Sequence, residues 1–179
     1  MAGCPQRILT ETVDCGITDK ILDRPRIAHS GANPRFVHFG RLVFHKGTAL
    51  IIESLVQTTQ PVRLDIVGRG PELERCKQLA ARLGLGDRVR FLDWYPKHGD
   101  LLDSFAQYRG VLLPSIEDAN GIVVQEAMAV GLVPICLDWG GPQLLVEDGV
   151  SGYLVAPRTR PEIVTGLARA LDALAAVLG

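Results

Sequence analysis

The fold is decided by one stretch of the chain, residues 111–129, which reads VLLPSIEDANGIVVQEAMA. An apolar run leads into an acidic loop that contains Asn120 and Gly121, and the loop leads into an apolar helical pattern with one carboxylate, Glu126. A helix that begins just after a parallel strand presents unpaired N–H groups and the positive end of its dipole to an anion. The stretch therefore predicts a phosphate site, with Glu126 placed one turn inside the helix to accept hydrogen bonds from sugar hydroxyls.

Short apolar strands alternate with helical patterns on both sides of this stretch. We predict strands at residues 36–39, 62–67, 89–92, 111–113, 133–137 and 153–155, and helices at 48–56, 72–83, 100–108, 122–130 and 161–178. Such alternation requires parallel pairing with right-handed crossovers, so we expect an α/β fold with a Rossmann-like, doubly wound sheet. Ligands of these sheets bind at the carboxyl ends of the strands, which directs attention to the loops at 40–47, 68–71, 93–99, 114–121 and 138–142.

The composition is typical of a soluble globular domain that is large enough to bury a core. The 179 residues include 19 basic and 20 acidic side chains, so no positive field favours nucleic acid as a partner. No apolar run reaches the ~18 residues of a membrane span, and residues 1–34 contain no apolar stretch of the length typical of a signal peptide. We expect a cytoplasmic protein that would reach a membrane surface only through another part of a longer protein. Its four cysteines are far apart, and we read Cys76 and Cys136 as core thiols.

The loop after the first predicted strand carries two cations. It runs from Gly40 to Gly47 and contains Arg41, a planar fork of donors, and Lys46, a mobile point charge. At the ligand-binding edge of the sheet, the pair can neutralise a diphosphate and stabilise it further as a leaving group. The alternative is that both side chains are ordinary solvated surface residues.

The next two loops keep a nicotinamide-cofactor protein open as an alternative. Gly68-Arg69-Gly70-Pro71 starts like a dinucleotide fingerprint, and Asp93 stands where an acidic residue would hold a ribose, but Leu73 replaces the third glycine. Trp94, just past the third strand, is placed either to stack on a base or to cover the core.

The carboxylates Asp118 and Glu126 are eight residues apart and can face one pocket. Glu126 lies on an almost wholly apolar helix, where a single charge needs a partner, and this favours a functional role. The four histidines show no metal-ligand spacing and no Ser or Cys partner, so we predict neither a metal site nor a hydrolytic triad. We expect His38 to point into the packing of the sheet.

Taken together, these motifs resemble the C-terminal, donor-binding domain of retaining glycosyltransferases with the GT-B fold, in the large group-1 family. The resemblance covers about residues 35–177. It rests on Gly40-Arg41-Leu42 with Lys46-Gly47, on Gly68–Pro71, on Ser115–Ile135, on Gly140-Gly141 and on Asp148–Val155. The resemblance implies a UDP-, GDP- or ADP-sugar as the donor, with no further cofactor, and a preceding acceptor-binding domain to which residues 1–34 would be the linker. Residues 35–179 would form the nucleotide-sugar-binding domain.

The resemblance also implies roles for individual residues. Arg41 and Lys46 would hold the diphosphate, Glu126 the ribose, and Asp118 the transferred sugar. The backbone of the loop and of the first helical turn would assist, at Gly40, Asn120, Gly121, Ile122 and Val123.

Two positions depart from the family pattern. Asp118 replaces a glutamate, and Leu144 replaces the glutamate that follows the Gly-Gly turn. These two positions keep a non-catalytic or regulatory nucleotide-binding domain open as an alternative. An NAD-binding domain, which Asp93 allows and Leu73 opposes, and a non-hydrolysing sugar-nucleotide epimerase, which shares the two-domain architecture, also stay open. A domain without its acceptor-binding partner is expected to bind the donor but not to transfer the sugar.

Overall fold

The computed structural model describes Ile21 and residues 34–118 and 121–177. The predicted linker at 1–34 thus lies outside the described residues, apart from Ile21 and Pro34. The strands are β1 (Arg35–Phe39), β2 (Arg63–Val67), β3 (Val89–Leu92), β4 (Gly110–Leu113), β5 (Val133–Leu137) and β6 (Tyr153–Val155). The helices are α1 (Thr48–Ser54), α2 (Leu73–Arg82), α3 (His98–Ser104), α4 (Ile122–Ala129), α5 (Pro142–Leu145) and α6 (Arg160–Ala176).

The six strands form one parallel sheet in the order β3-β2-β1-β4-β5-β6. The predicted α/β, Rossmann-like fold is therefore confirmed, and each predicted strand agrees with the observed one to within a residue. Because the chain leaves the sheet centre first towards β3 and then towards β6, the order reverses between β1 and β4. The crevice at such a reversal is the usual ligand site of an open α/β sheet.

Both faces of the sheet are buried, which explains why apolar residues dominate its strands. Side chains alternate between the faces along each strand, so Phe36 and Val37 of β1 belong to opposite cores. The core around Phe36 is closed by α1, α2 and α6, whereas the core around Val37 is closed by α3 and α4. Cys76 and Cys136 are buried, as predicted for core thiols.

Helices α1, α3 and α5 differ most from the prediction. α1 ends at Ser54, two residues earlier than expected, and continues as a 3₁₀ turn at Leu55–Gln57. α3 begins at His98, two residues earlier than expected, and changes to a 3₁₀ turn at Phe105–Gln107. The short helix α5 was not predicted, because its four residues are too few to show a period; Pro142 stands at its start, where the missing N–H costs nothing. Across the described part of the chain, no helix is both long and apolar enough to cross a membrane.

A buried carboxylate on β2 forms hydrogen bonds with the two neighbouring strands of the sheet. Asp65 on β2 is fully buried and accepts hydrogen bonds from Arg35 on β1 (3.1 Å), Arg90 on β3 (2.8 Å) and the hydroxyl of Tyr108 (2.9 Å). Burial opposes the charge, but the hydrogen bonds from Arg90 and Tyr108 and the charge of Arg35 hold the pKa of Asp65 below its ordinary value. Asp65 is therefore a charged structural residue.

Candidate functional site

The loops that follow β1 and β4 lie in direct contact at the reversal of strand order. The amide of Ile116 donates a hydrogen bond to the carbonyl of His45 (2.9 Å). Gly47 has a left-handed φ of 71°, and a Cβ at this position would collide with the carbonyl oxygen of Pro114. Only glycine therefore allows the two loops to approach this closely.

The same two loops are joined by an ion pair. Nζ of Lys46 lies 3.0 Å from Oδ2 of Asp118, and both side chains are about four-fifths buried at 20% exposure. Oδ1 of Asp118 accepts a hydrogen bond from the amide of Gly121 (2.9 Å). The shorter Asp118 thus still reaches the lysine. Arg41 is exposed, and its side chain makes no hydrogen bond or ion pair with the residues that the structure describes.

Helix α4 begins at this junction with its first N–H groups uncapped. Gly121 precedes the helix with a left-handed φ of 59°, and no described side chain caps the helix. The amides of Ile122 and Val123 lie in the first turn, where no carbonyl of the same helix can accept from them. This turn is therefore a potential anion site beside Lys46. Asn120, also predicted to belong to the site, lies outside the described residues.

Glu126 lies one turn further along α4 and is only 8% exposed. Its partner is His98, the first residue of α3, whose Nε2 lies 3.1 Å from Oε1 of Glu126. Burial raises the pKa of Glu126, and the charge and hydrogen bond of His98 act in the opposite direction. The partner that a single charge on an apolar helix requires is thus present, although the sequence did not identify it.

A buried histidine lies next to the loop at 40–47, called the cationic loop because it carries Arg41 and Lys46. His38 on β1 is fully buried, its Nδ1 is 2.8 Å from the carbonyl of Leu112, and its Nε2 is 2.9 Å from the hydroxyl of Thr48. Because the carbonyl can only accept, Nδ1 carries the proton and Nε2 accepts from Thr48. Burial lowers the pKa of His38 to about 4, so the ring is neutral. It ties β1 to β4 and to the first residue of α1, directly behind Lys46.

The predicted stacking residue Trp94 already packs on the protein. Its ring lies on Phe39 with a centroid distance of 4.7 Å and an angle of 30° between the planes, and the residue is 42% exposed. This agrees with its covering the core, while base stacking on its exposed part stays a prediction.

Two features of the sequence allowed a nicotinamide cofactor, the loop Gly68–Pro71 and Asp93, and both contact other parts of the protein. The loop Gly68–Pro71 follows β2 rather than β1, and it lies along the cationic loop, with the amide of Leu42 donating to the carbonyl of Arg69 (2.8 Å). Asp93 is held by Arg69 through two hydrogen bonds of 2.5 and 2.6 Å. These contacts give Asp93 a role within the protein and disfavour its role as a ribose ligand.

The turn after β5 completes the edge of the site. The amide of Gly141 donates to the carbonyl of Asp118 (2.8 Å), so the turn and the loop after β4 are joined. Leu144 on α5 is 73% exposed, and Trp139 at the start of the turn is 55% exposed. An apolar side chain thus faces solvent where the family pattern has a glutamate.

The structure brings together most of the residues that the sequence singled out. Lys46 and Asp118 are in contact, and Asp118 is bonded to the residue that opens the helix of Glu126. His98 was missed because the helix was predicted to begin after it. The signal was nevertheless present, since His98 lies three and four residues before the buried Leu101 and Leu102 and hence on their face of the helix. Among the described residues, no cluster of three potential metal ligands occurs.

Comparison with known proteins was consistent across sequence and structure. The family model described as "Glycosyl transferases group 1" matches residues 19–173. The alpha-D-kanosaminyltransferase of Streptomyces kanamyceticus is 30% identical over 142 residues, which cover 78% of this chain and 36% of that protein. The chain spans only 20% to 40% of the length of the curated relatives that it matches.

Solved structures show the same architecture. The Anabaena protein HepE, crystallised with UDP and glucose, is 29% identical and superposes with a TM-score of 0.65, covering 82% of this chain and 44% of that one. The pneumococcal O-GlcNAc transferase GtfA, crystallised with UDP and GlcNAc, is 21% identical with a TM-score of 0.73, covering 84% and 31%. At that identity, the second structure shows the fold alone.

Proposed function

Since the chain belongs to the glycosyl transferases group 1 family, we propose that it binds the nucleotide diphosphate sugar donor of a glycosyltransferase in the crevice between β1 and β4. The observation that carries this proposal is the meeting of Lys46 with the uncapped first turn of α4, with the buried Glu126 one turn beyond. Cations, backbone donors and a carboxylate follow one another in the order in which a diphosphate and a ribose require them.

In this proposal, the diphosphate lies between Arg41, Lys46 and the amides of Ile122 and Val123. Glu126 accepts hydrogen bonds from the ribose hydroxyls. Donor groups around the phosphates would stabilise them most when the bond from the sugar to the phosphate oxygen breaks and negative charge accumulates on the diphosphate. With side chains and amides supplying this stabilisation, the proposed reaction uses no metal ion.

We propose transfer of a hexose, with retention of configuration at its anomeric carbon, to a glycan, lipid or small-molecule acceptor. The support is the resemblance of the motifs to retaining enzymes and the relative crystallised with UDP and glucose. Residues 35–179 would form the donor-binding domain, and a preceding domain would bind the acceptor. That the matched regions cover only 36% and 40% of two of the relatives supports a second domain in the whole protein.

A second candidate function is donor binding without transfer. It is favoured by Leu144, an exposed apolar side chain where the family pattern has a glutamate, and by the engagement of Asp118 with Lys46. Transfer by a longer protein that contains this chain would exclude this candidate.

Isothermal titration calorimetry with UDP, GDP, ADP and NADH tests the proposal. We expect saturable binding of at least one diphosphate and none of NADH. Arg41→Ala and Lys46→Ala should each weaken nucleotide binding roughly 10- to 100-fold, because a charge-assisted contact to phosphate contributes ~1.5–3 kcal/mol.

Arg82→Ala is the matched control, because Arg82 is an exposed arginine on α2, away from the crevice. It should bind nucleotide like the parent protein. If both site variants also bound like the parent, the diphosphate would lie elsewhere. If no nucleotide bound the parent protein, the proposed function would be wrong.

A further inference from the structure

Glu126 receives its partner from a different element of the fold. His98 is the first residue of α3, and the segment that precedes it, Lys97, is extended rather than helical. α3 is anchored in the core by Leu101 and Leu102, which are buried, and His98 shares their side of the helix. The imidazole therefore has a fixed direction towards α4, where its Nε2 lies 3.1 Å from Oε1 of Glu126.

This contact leaves acceptor capacity on the carboxylate. An ionised carboxyl group has about four lone-pair sites, and His98 occupies one of them on Oε1. Oε1 is the carboxylate oxygen in contact with the imidazole, so Oε2 is the oxygen left to face a ligand. The side chain of His98 is itself more than half exposed, so its ring is in contact with solvent.

We propose that His98 is a positioning residue, whose Nε2–H holds Oε1 of Glu126 so that the carboxylate presents Oε2 to the ribose hydroxyls of the donor. The inference rests on the proposed function, because the ribose is the ligand proposed for Glu126. For this geometry Nε2 must carry a proton, as it does in one neutral tautomer and in the charged ring. Burial disfavours the ionised form of Glu126, and the donated hydrogen bond counteracts this effect.

The test compares UDP with 2′,3′-dideoxyuridine diphosphate, which lacks both ribose hydroxyls. His98→Ala should weaken the binding of UDP about fivefold and should change the binding of the dideoxy compound by less than about twofold. His98→Gln retains an N–H donor and should restore most of the lost affinity. In the Glu126→Gln background, His98→Ala should have no further effect, because the two residues act as one unit.

Lys97→Ala is the control, since it removes an exposed basic side chain next to His98 and should leave both affinities unchanged. An equal loss for the two nucleotides in His98→Ala, or no loss for UDP, would overturn the proposal.

A measurement without nucleotide separates the contact from the function. Carbon-detected NMR of the Glu126 carboxyl group should show a higher pKa in His98→Ala than in the parent protein, because the stabilising donor is gone. An unchanged pKa would overturn the link between His98 and Glu126. If the parent protein bound neither nucleotide, the proposed function would be refuted together with the ribose as ligand, and the NMR result would still decide whether His98 controls Glu126.

Discussion

The buried histidine behind the cationic loop should make this fold sensitive to mild acid. His38 is fully buried, with Leu112 accepting from Nδ1 and Thr48 donating to Nε2. Protonation would place a second donor against the Thr48 hydroxyl and a charge in the core. The folded protein therefore resists protonation of His38 down to about pH 4, whereas the unfolded chain takes up the proton near the ordinary pKa of 6.5.

The direction and size of the effect follow from these two values. Stability is complete above about pH 6.5 and falls as pH is lowered from there to about 4, because only the unfolded state binds the proton in this range. Each pKa unit corresponds to about 1.4 kcal/mol, so the full loss is roughly 3 kcal/mol. About 2 kcal/mol of this loss is already expected at about pH 5.

Urea unfolding followed by circular dichroism at about pH 8 and about pH 5 measures this loss. His38→Gln removes the titrating ring and should lower the free energy of unfolding at about pH 8. The further loss of free energy of unfolding between about pH 8 and about pH 5 should be smaller in this variant than in the parent protein, by about 2 kcal/mol. His45→Gln removes a partly exposed imidazole and serves as the control, with the parental dependence expected.

Equal pH dependence of His38→Gln and the parent protein would refute the reasoning. If His38→Gln did not fold, an NMR titration of the parent protein would decide. The ring of His38 should remain neutral at about pH 5, and its protonation near 6.5 would contradict the argument.

Three further predictions concern the ribose, the core and the reaction. Glu126→Gln should weaken the binding of UDP about 5- to 30-fold and that of its dideoxy analogue less, whereas Glu117→Gln, an exposed carboxylate of the adjacent loop, should change neither; calorimetry checks this, and equal losses for both nucleotides would make Glu126 a structural residue. Asp65→Asn should cost about 3 kcal/mol or more in urea unfolding, because it leaves two guanidinium groups without their buried charge; a loss no larger than that of the exposed Asp87→Asn would contradict this. The 179 residues alone should bind nucleotide but show negligible transfer in a labelled-sugar assay, because they lack the domain proposed to orient the acceptor, and such orientation lowers the activation barrier by ~7–11 kcal/mol. Sustained turnover would refute the two-domain proposal.

The fold was predictable because every level of the sequence agrees with it. Short β-branched runs, helices with Gly and Pro at their ends, and strictly alternating elements leave few topologies open. The burial of Glu126 was also predictable, since its neighbours on α4 are apolar. In both cases the information is local, within about ten residues of the chain.

The contacts that complete the site depend on distant parts of the chain. Lys46 and Asp118 are 72 residues apart, and only the adjacency of β1 and β4 brings their loops together. His98 reaches Glu126 from a neighbouring crossover helix whose first turn has no strong apolar period. Arg69 pairs with Asp93 because β2 and β3 are neighbours. Pairing between elements is set by the sheet order, which a local pattern does not specify.

The ion pair between Lys46 and Asp118 has a consequence for how fast a donor arrives. Two opposite charges 3.0 Å apart nearly cancel at a distance, so under the proposed function the crevice would attract an incoming diphosphate mainly through Arg41. Association should therefore proceed near an unsteered rate of about 10⁶ M⁻¹s⁻¹ and respond weakly to ionic strength. Under the proposed function, the strong attraction develops only after arrival, when the phosphates replace Asp118 as the partner of the lysine.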